Sequence, residues 1–170
     1  MKKLTIKPFK KKPKLPEDFE QRTWAMLQNS VTCVYTKKAT SESKEELYRA
    51  VEDMCMHNLG KKLYDNLRLE CEKEINHSID TMISKSNDNT YFLSSMDEVW
   101  QNHCQQMNTI RNIFLYLDRS YAIATLGIHS LWDVGLHLFR SRLESRADVE
   151  TALIVGLLAS GMYNIVFVDL

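Results

Sequence analysis

Apolar side chains recur every three or four residues through most of this chain, the repeat of one face of an α-helix. The longest such run is NTYFLSSMDEVWQNHCQQMNTIRNIFLYLDRSYAIAT, Asn89 to Thr125. Its large side chains fall at Phe92, Met96, Val99, His103, Met107, Ile110, Phe114, Leu117 and Tyr121, and no Gly or Pro interrupts it. At the standard rise per residue one continuous helix of this length is about 55 Å long. A single neighbour cannot cover it, so the pattern predicts a bundle in which other helices pack along one long central helix.

The flanking segments supply those neighbours. A first helix is expected from Pro16 to about Thr36, with Phe19, Thr23 or Trp24, Leu27, Val31 and Val34 on its face. Pro at the first turn, followed by Glu17 and Asp18, suits a helix start. The polar run KKATSES then reads as a loop. Ser43 with Glu46 three residues on forms a capping-box pattern for a second helix reaching His57. Its inner face is Leu47, Val51 and either Met54 or Cys55. Asn58-Leu59-Gly60 reads as a stop. A third helix follows from Lys61 to Ile83, with Leu63, Leu67, Cys71, Ile75, Ile79 and Met82 inward. Gly127 marks a turn, and a last helix is expected over Ser130–Leu143 on Leu131, Val134, Leu138 and Phe139. The fold class is all-α, a helical bundle of about five helices with short connections. The apolar end TALIVGLLASGMYNIVFVDL departs from this, because Tyr163 to Val168 has strand propensity.

Charge adds an asymmetry that net charge hides. The formal net charge is zero, yet residues 1–14 hold seven lysines and no acid, leaving fifteen basic against twenty-two acidic residues in the rest. Pro8 and Pro13 exclude a helix through the arm. Leu4, Ile6 and Phe9 are spaced along it as side chains that dock, which a solubilising tail does not require. Lys10-Lys11-Lys12 also fits a nuclear-localisation signal.

The chemistry-bearing residues form no site. His57, His77, His103, His129 and His137 fall one to a segment, and Cys33, Cys55, Cys71 and Cys104 include no CxxC pair. No metal-ligand spacing, phosphate-cradling glycine loop or nucleophile motif is present. No catalytic residue, metal or cofactor is therefore expected. The cysteines occupy apolar helix slots and read as reduced core thiols of a cytosolic or nuclear protein. From the residues alone this is a helical binding or scaffold module.

Three stretches carry a resemblance. They are EELYRAVEDMCMHNLGKKLYDNLR (residues 45–68), WQNHCQQMNTIRNIFLYLDRSY (100–121) and LWDVGLHLF (131–139). In order and spacing they resemble the first helical repeat of the cullins, the scaffold subunits of multisubunit ubiquitin ligases. The arm and first helix, KLTIKPFKKKPKLPEDFEQRTW, look most like the cullin-four subfamily. The resemblance implies an extended basic arm (1–15), an incomplete first cullin repeat (16–160) and a divergent apolar tail (161–170). It implies a non-catalytic scaffold, nuclear and cytoplasmic, acting in ubiquitin-dependent protein degradation through a substrate adaptor built of three β-propellers. No direct nucleic-acid or membrane partner is implied. The RING subunit, held by the C-terminal part of full-length cullins, is not expected to bind. Matched residue by residue, the adaptor surface is Glu42, Lys44, Glu45 and Tyr48 of the second helix with Tyr121 of the long one. The arm adds Leu4, Ile6 and Phe9. Lys44 stands where relatives usually carry an apolar residue, and after Gly156-Leu157-Leu158 the tail leaves the family pattern. Two other readings stay open. One is a poorly folded, non-functional or dominant-negative truncated product. The other is a helical protein binding nucleic acid through its basic arm, with steep salt dependence.

Overall fold

The structure is a computed structural model that describes residues 16–85, 89–146, 149 and 151. In chain order its helices are α1 (Phe19–Tyr35), α2 (Lys44–Met56), α3 (Gly60–Lys85), α4 (Asn89–Ile113), the single turn α5 (Leu115–Leu117) and α6 (Leu131–Glu144). Among the described residues there is no strand. Five helices exceed two turns, so the all-α bundle expected from the periodicity is the observed architecture. The basic arm and the segment Tyr163 to Val168 lie outside the described residues.

The apolar periods become buried faces. Leu27 and Val31 of α1, Leu47, Val51 and Met54 of α2, and Leu63, Leu67, Cys71, Ile75 and Ile79 of α3 share one core. Met107, Ile110, Phe114 and Leu117 from the long run join it, with Leu131, Leu138 and Phe139 of α6. A smaller cluster of Met82, Phe92 and Val149 lies beside it. Burial resolves the two alternatives left by the sequence. Thr23 is buried while Trp24 packs at the core margin, and Met54 is buried while Cys55 is half-buried. Gly135 marks a close approach between α4 and α6. A Cβ there would stand 2.7 Å from Met107 Cε, so the bundle closes over a residue that has none.

Helix boundaries follow local chemistry. Residues before Phe19 form a turn in which the Phe19 N–H donates to the Pro16 carbonyl, so α1 begins three residues later than Pro16 suggests. The capping box of α2 is complete. Ser43 Oγ accepts from the Glu46 N–H at 3.2 Å, and Glu46 Oε2 accepts from the Ser43 N–H at 2.8 Å. The stop expected at Asn58-Leu59-Gly60 is where α2 ends, and Asn58 makes it. Asn58 takes the left-handed conformation (φ 63°), and the N–H groups of Asn58 and Leu59 donate to the carbonyls of Cys55 and Met54. That is the pattern of a Schellman cap, with Asn in the place glycine usually takes. Gly60 is thereby released to begin α3. Lys37 (φ 54°) ends α1 the same way.

The long run is where the expectation fails most clearly. It is not one continuous α-helix. Phe114 (φ −93°, ψ 22°) leaves the helical region and separates α4 from α5. Beyond it, Asp118–Ala122 forms a π turn, in which the Ile123 N–H donates to the Asp118 carbonyl five residues back at 2.9 Å. A buried carboxylate opens this turn. Asp118 is fully buried, its Oδ1 accepting from the Leu131 N–H at 2.8 Å and its Oδ2 from Arg111 Nε at 3.1 Å. A buried charge requires such partners. Leu131 opens α6, so the carboxylate also sits at the positive end of that helix. The ion pair is thus Asp118–Arg111, and Arg119 is exposed.

Candidate docking surface

The residues matched to an adaptor surface divide into two groups. Lys44 and Glu45 open α2 and are exposed, with Glu45 Oε1 accepting from Arg49 Nη2 at 2.7 Å one turn on. Glu42 precedes the cap and is half-buried. Its Oε1 accepts from Ser41 Oγ at 2.7 Å, while its buried Oε2 has no partner among the described residues. Tyr48 stands on the outer side of α2 and is 36% exposed. Its ring meets Tyr116 edge-on, centroids 6.2 Å apart and planes at 87°, a favoured aromatic geometry. The three residues of the arm, Leu4, Ile6 and Phe9, lie outside the described residues.

Tyr121 belongs to a different group. Its ring packs on Tyr64 of α3 (centroids 5.8 Å, planes at 59°), with Gly60 beneath it. Tyr64 in turn donates its hydroxyl to the His129 carbonyl at 2.9 Å. The structure therefore brings Tyr116, not Tyr121, against Tyr48. Sequence reasoning passed over Tyr116, although a signal was available. It stands one position before the core residue Leu117, which puts it at the margin of the apolar face, where a half-exposed aromatic is expected.

The edge formed by α2, α5 and the turn after them concentrates apolar exposure. Five large apolar side chains are exposed among the described residues: Tyr48, Met56, Leu69, Ile123 and Leu126. All but Leu69 lie on α2 or just beyond the π turn. Such concentration marks a partner surface better than scattered apolar residues do. Ser120, in the π turn, donates to the Tyr116 carbonyl at 2.6 Å, and it lies near the Cys55 thiol, where it opposes the upward push of burial on that group.

Elsewhere the titratable groups are packed rather than poised. Burial pushes His103 down to about 4, and its ring stacks on Phe139 at 4.8 Å. Burial also raises Cys71 to about 12, against the opposing hydrogen bond of Tyr35. No three His, Cys, Asp or Glu side chains among the described residues are arranged to hold a metal ion. No helix among them is long and apolar enough to cross a membrane.

The family model of the cullin alpha solenoid domain matches residues 24–160. The chain belongs to the cullin family. This cullin is 40% identical over 157 residues to Cullin-4A of Homo sapiens, covering 92% of this chain and 21% of that protein. It is 38% identical over 160 residues to Cullin-4 of Dictyostelium discoideum, covering 92% and 20%. Against Cullin-3B of Arabidopsis thaliana it is 31% identical over 156 residues, covering 90% and 20%. The cullin-four relatives thus stand nearer than this cullin-three relative, in keeping with the arm and first-helix resemblance. The chain spans about a fifth of the length of these relatives.

Proposed function

We propose that this cullin segment is the adaptor-binding part of a ubiquitin-ligase scaffold, acting in ubiquitin-dependent protein degradation. The observation that carries this reading is exposed Tyr48 of α2 paired edge-on with Tyr116 of α5, with exposed Met56 at the end of α2 and exposed Ile123 and Leu126 after the π turn. The role is holding rather than catalysis. The partner is the substrate adaptor of three β-propellers used by cullin-four-type ligases. Lys44, Glu45 and Tyr48 of α2 meet it with Glu42 just before the cap and Tyr121 in the π turn, and Leu4, Ile6 and Phe9 of the basic arm meet a second propeller surface. Lys44 lays its methylene stem along the partner while its ammonium stays in water. The RING subunit does not bind this segment, whose place of action is nucleus and cytoplasm.

Isothermal titration of the purified adaptor tests the proposal. The unaltered chain binds, and Tyr48→Ala with Tyr121→Ala abolishes binding. Unchanged affinity in that double variant would sink the site assignment. No binding by the unaltered chain would sink the function.

A further inference from the structure

The π turn and the helical turn α5 that leads into it touch two helices. Tyr116 of α5 meets Tyr48 of α2, Ser120 lies near the Cys55 thiol of α2, and Tyr121 lies over the start of α3 at Gly60 and Tyr64. A π turn carries one residue more than an α turn, so residues after it lag by about 100° around the helix. Without it, Ser120 and Tyr121 would face different neighbours. Isolated π turns are rare and need something to hold them. Here that hold is Asp118, fully buried, with one carboxylate oxygen on the Leu131 N–H and the other on Arg111 Nε.

We propose that Asp118 is a positioning residue for the docking edge: its carboxylate ties the π turn to α4 and α6, and so sets where Tyr116, Ser120 and Tyr121 meet α2 and α3. The effect on partner binding rests on the reading of the edge given above. The effect on the segment itself does not.

Two cysteines report the latch without reference to any partner. Cys55 is half-buried at the margin of the core, near Ser120, whereas Cys71 lies in the main core. Alkylation by iodoacetamide, located by peptide mass mapping, reads both in one sample. In Asp118→Asn the amide oxygen still accepts from Leu131, but its NH₂ faces the Arg111 donor, so one side of the latch fails. We expect Cys55 labelling to rise about tenfold with Cys71 unchanged, as for loss of one buried hydrogen-bonded partner that opens a segment locally. Arg111→Gln, at a residue that is partly solvent-accessible, should move Cys55 in the same direction by a smaller factor. Equal labelling of Cys55 in variants and parent would overturn the proposal. So would a parallel rise of Cys55 and Cys71, which reports global unfolding.

Titration of the three-propeller adaptor supplies the second readout. Asp118→Asn should weaken binding about tenfold, and the loss should not add to that of Tyr116→Ala, because both remove the same placement of one side chain. Full additivity would overturn the positioning role. Failure of the parent chain to bind would remove the docking reading alone, with Cys55 labelling still deciding the latch.

Discussion

Two tyrosine pairs stand on neighbouring sides of the same helical junction, and they are built alike but used differently. Tyr48–Tyr116 and Tyr64–Tyr121 have similar ring separations, 6.2 and 5.8 Å. In the second pair Tyr64 is buried, its hydroxyl bonded to the His129 carbonyl, and Tyr121 lies over Gly60. That pair closes the turn between the π segment and α6. In the first pair Tyr48 remains 36% exposed at the margin of α2. Aromatic pairing alone therefore says little about role. What separates the pairs is whether the polar tip is satisfied inside the protein, as for Tyr64, or the ring is left on the surface for something outside.

This contrast can be broken most forcefully from the closed side. Tyr64→Ala should destabilise the chain by about 3 kcal/mol, as for other large aromatic truncations in a core, measured by urea unfolding. Tyr48→Ala should cost less than about 0.5 kcal/mol of stability, the usual range for surface positions. It should instead weaken adaptor binding by about 2 kcal/mol, as for an interface hot spot. If Tyr48→Ala unfolds the chain as badly as Tyr64→Ala, the two pairs are not distinct. Tyr64→Phe keeps the ring and removes only the bond to His129, so a loss of about 1 kcal/mol is expected. Thermal melts of the two Tyr64 variants would then separate ring from hydroxyl.

The smallest effects concern the cap that presents Tyr48. Ser43→Ala should cost about 0.5–1 kcal/mol, since it removes one capping bond of α2. The same box gives a pH signature. Hydrogen bonds from Ser43 hold Glu46 below its ordinary value of 4.5. Its contribution is therefore complete above that pH and is lost as pH falls through the lowered folded value. Acid titration of unfolding free energy should show this shoulder below pH 4.5 in the parent chain, persisting in part in Ser43→Ala, which keeps the backbone N–H that Glu46 accepts from, and absent in Glu46→Gln.

Much of this was legible in the sequence because it is local. The inward faces of α2, α3 and α6 follow from apolar spacing, and Ser43 with Glu46 announced the cap that forms. What escaped depends on residues far apart in the chain. The long run has no Gly or Pro, so nothing local marks the break at Phe114. Asp118 could be buried only because Leu131, thirteen residues on, offers an unpaired N–H at the start of α6. The same distortion moved Tyr121 to Tyr64 and left Tyr116 opposite Tyr48. The residue types of the docking edge were thus readable, whereas their pairing was not. The stop at Asn58-Leu59-Gly60 was readable as a tripeptide, but not that Asn58 takes the left-handed conformation and leaves Gly60 to begin α3.

The bare Cα of Gly135 against Met107 has a mechanical consequence. The Met107 side chain fills the space that a Cβ at position 135 would need, so the spacing of α4 and α6 is matched to one glycine facing one methionine. Any side chain at position 135 would push on Met107, and through it on the core that both helices share.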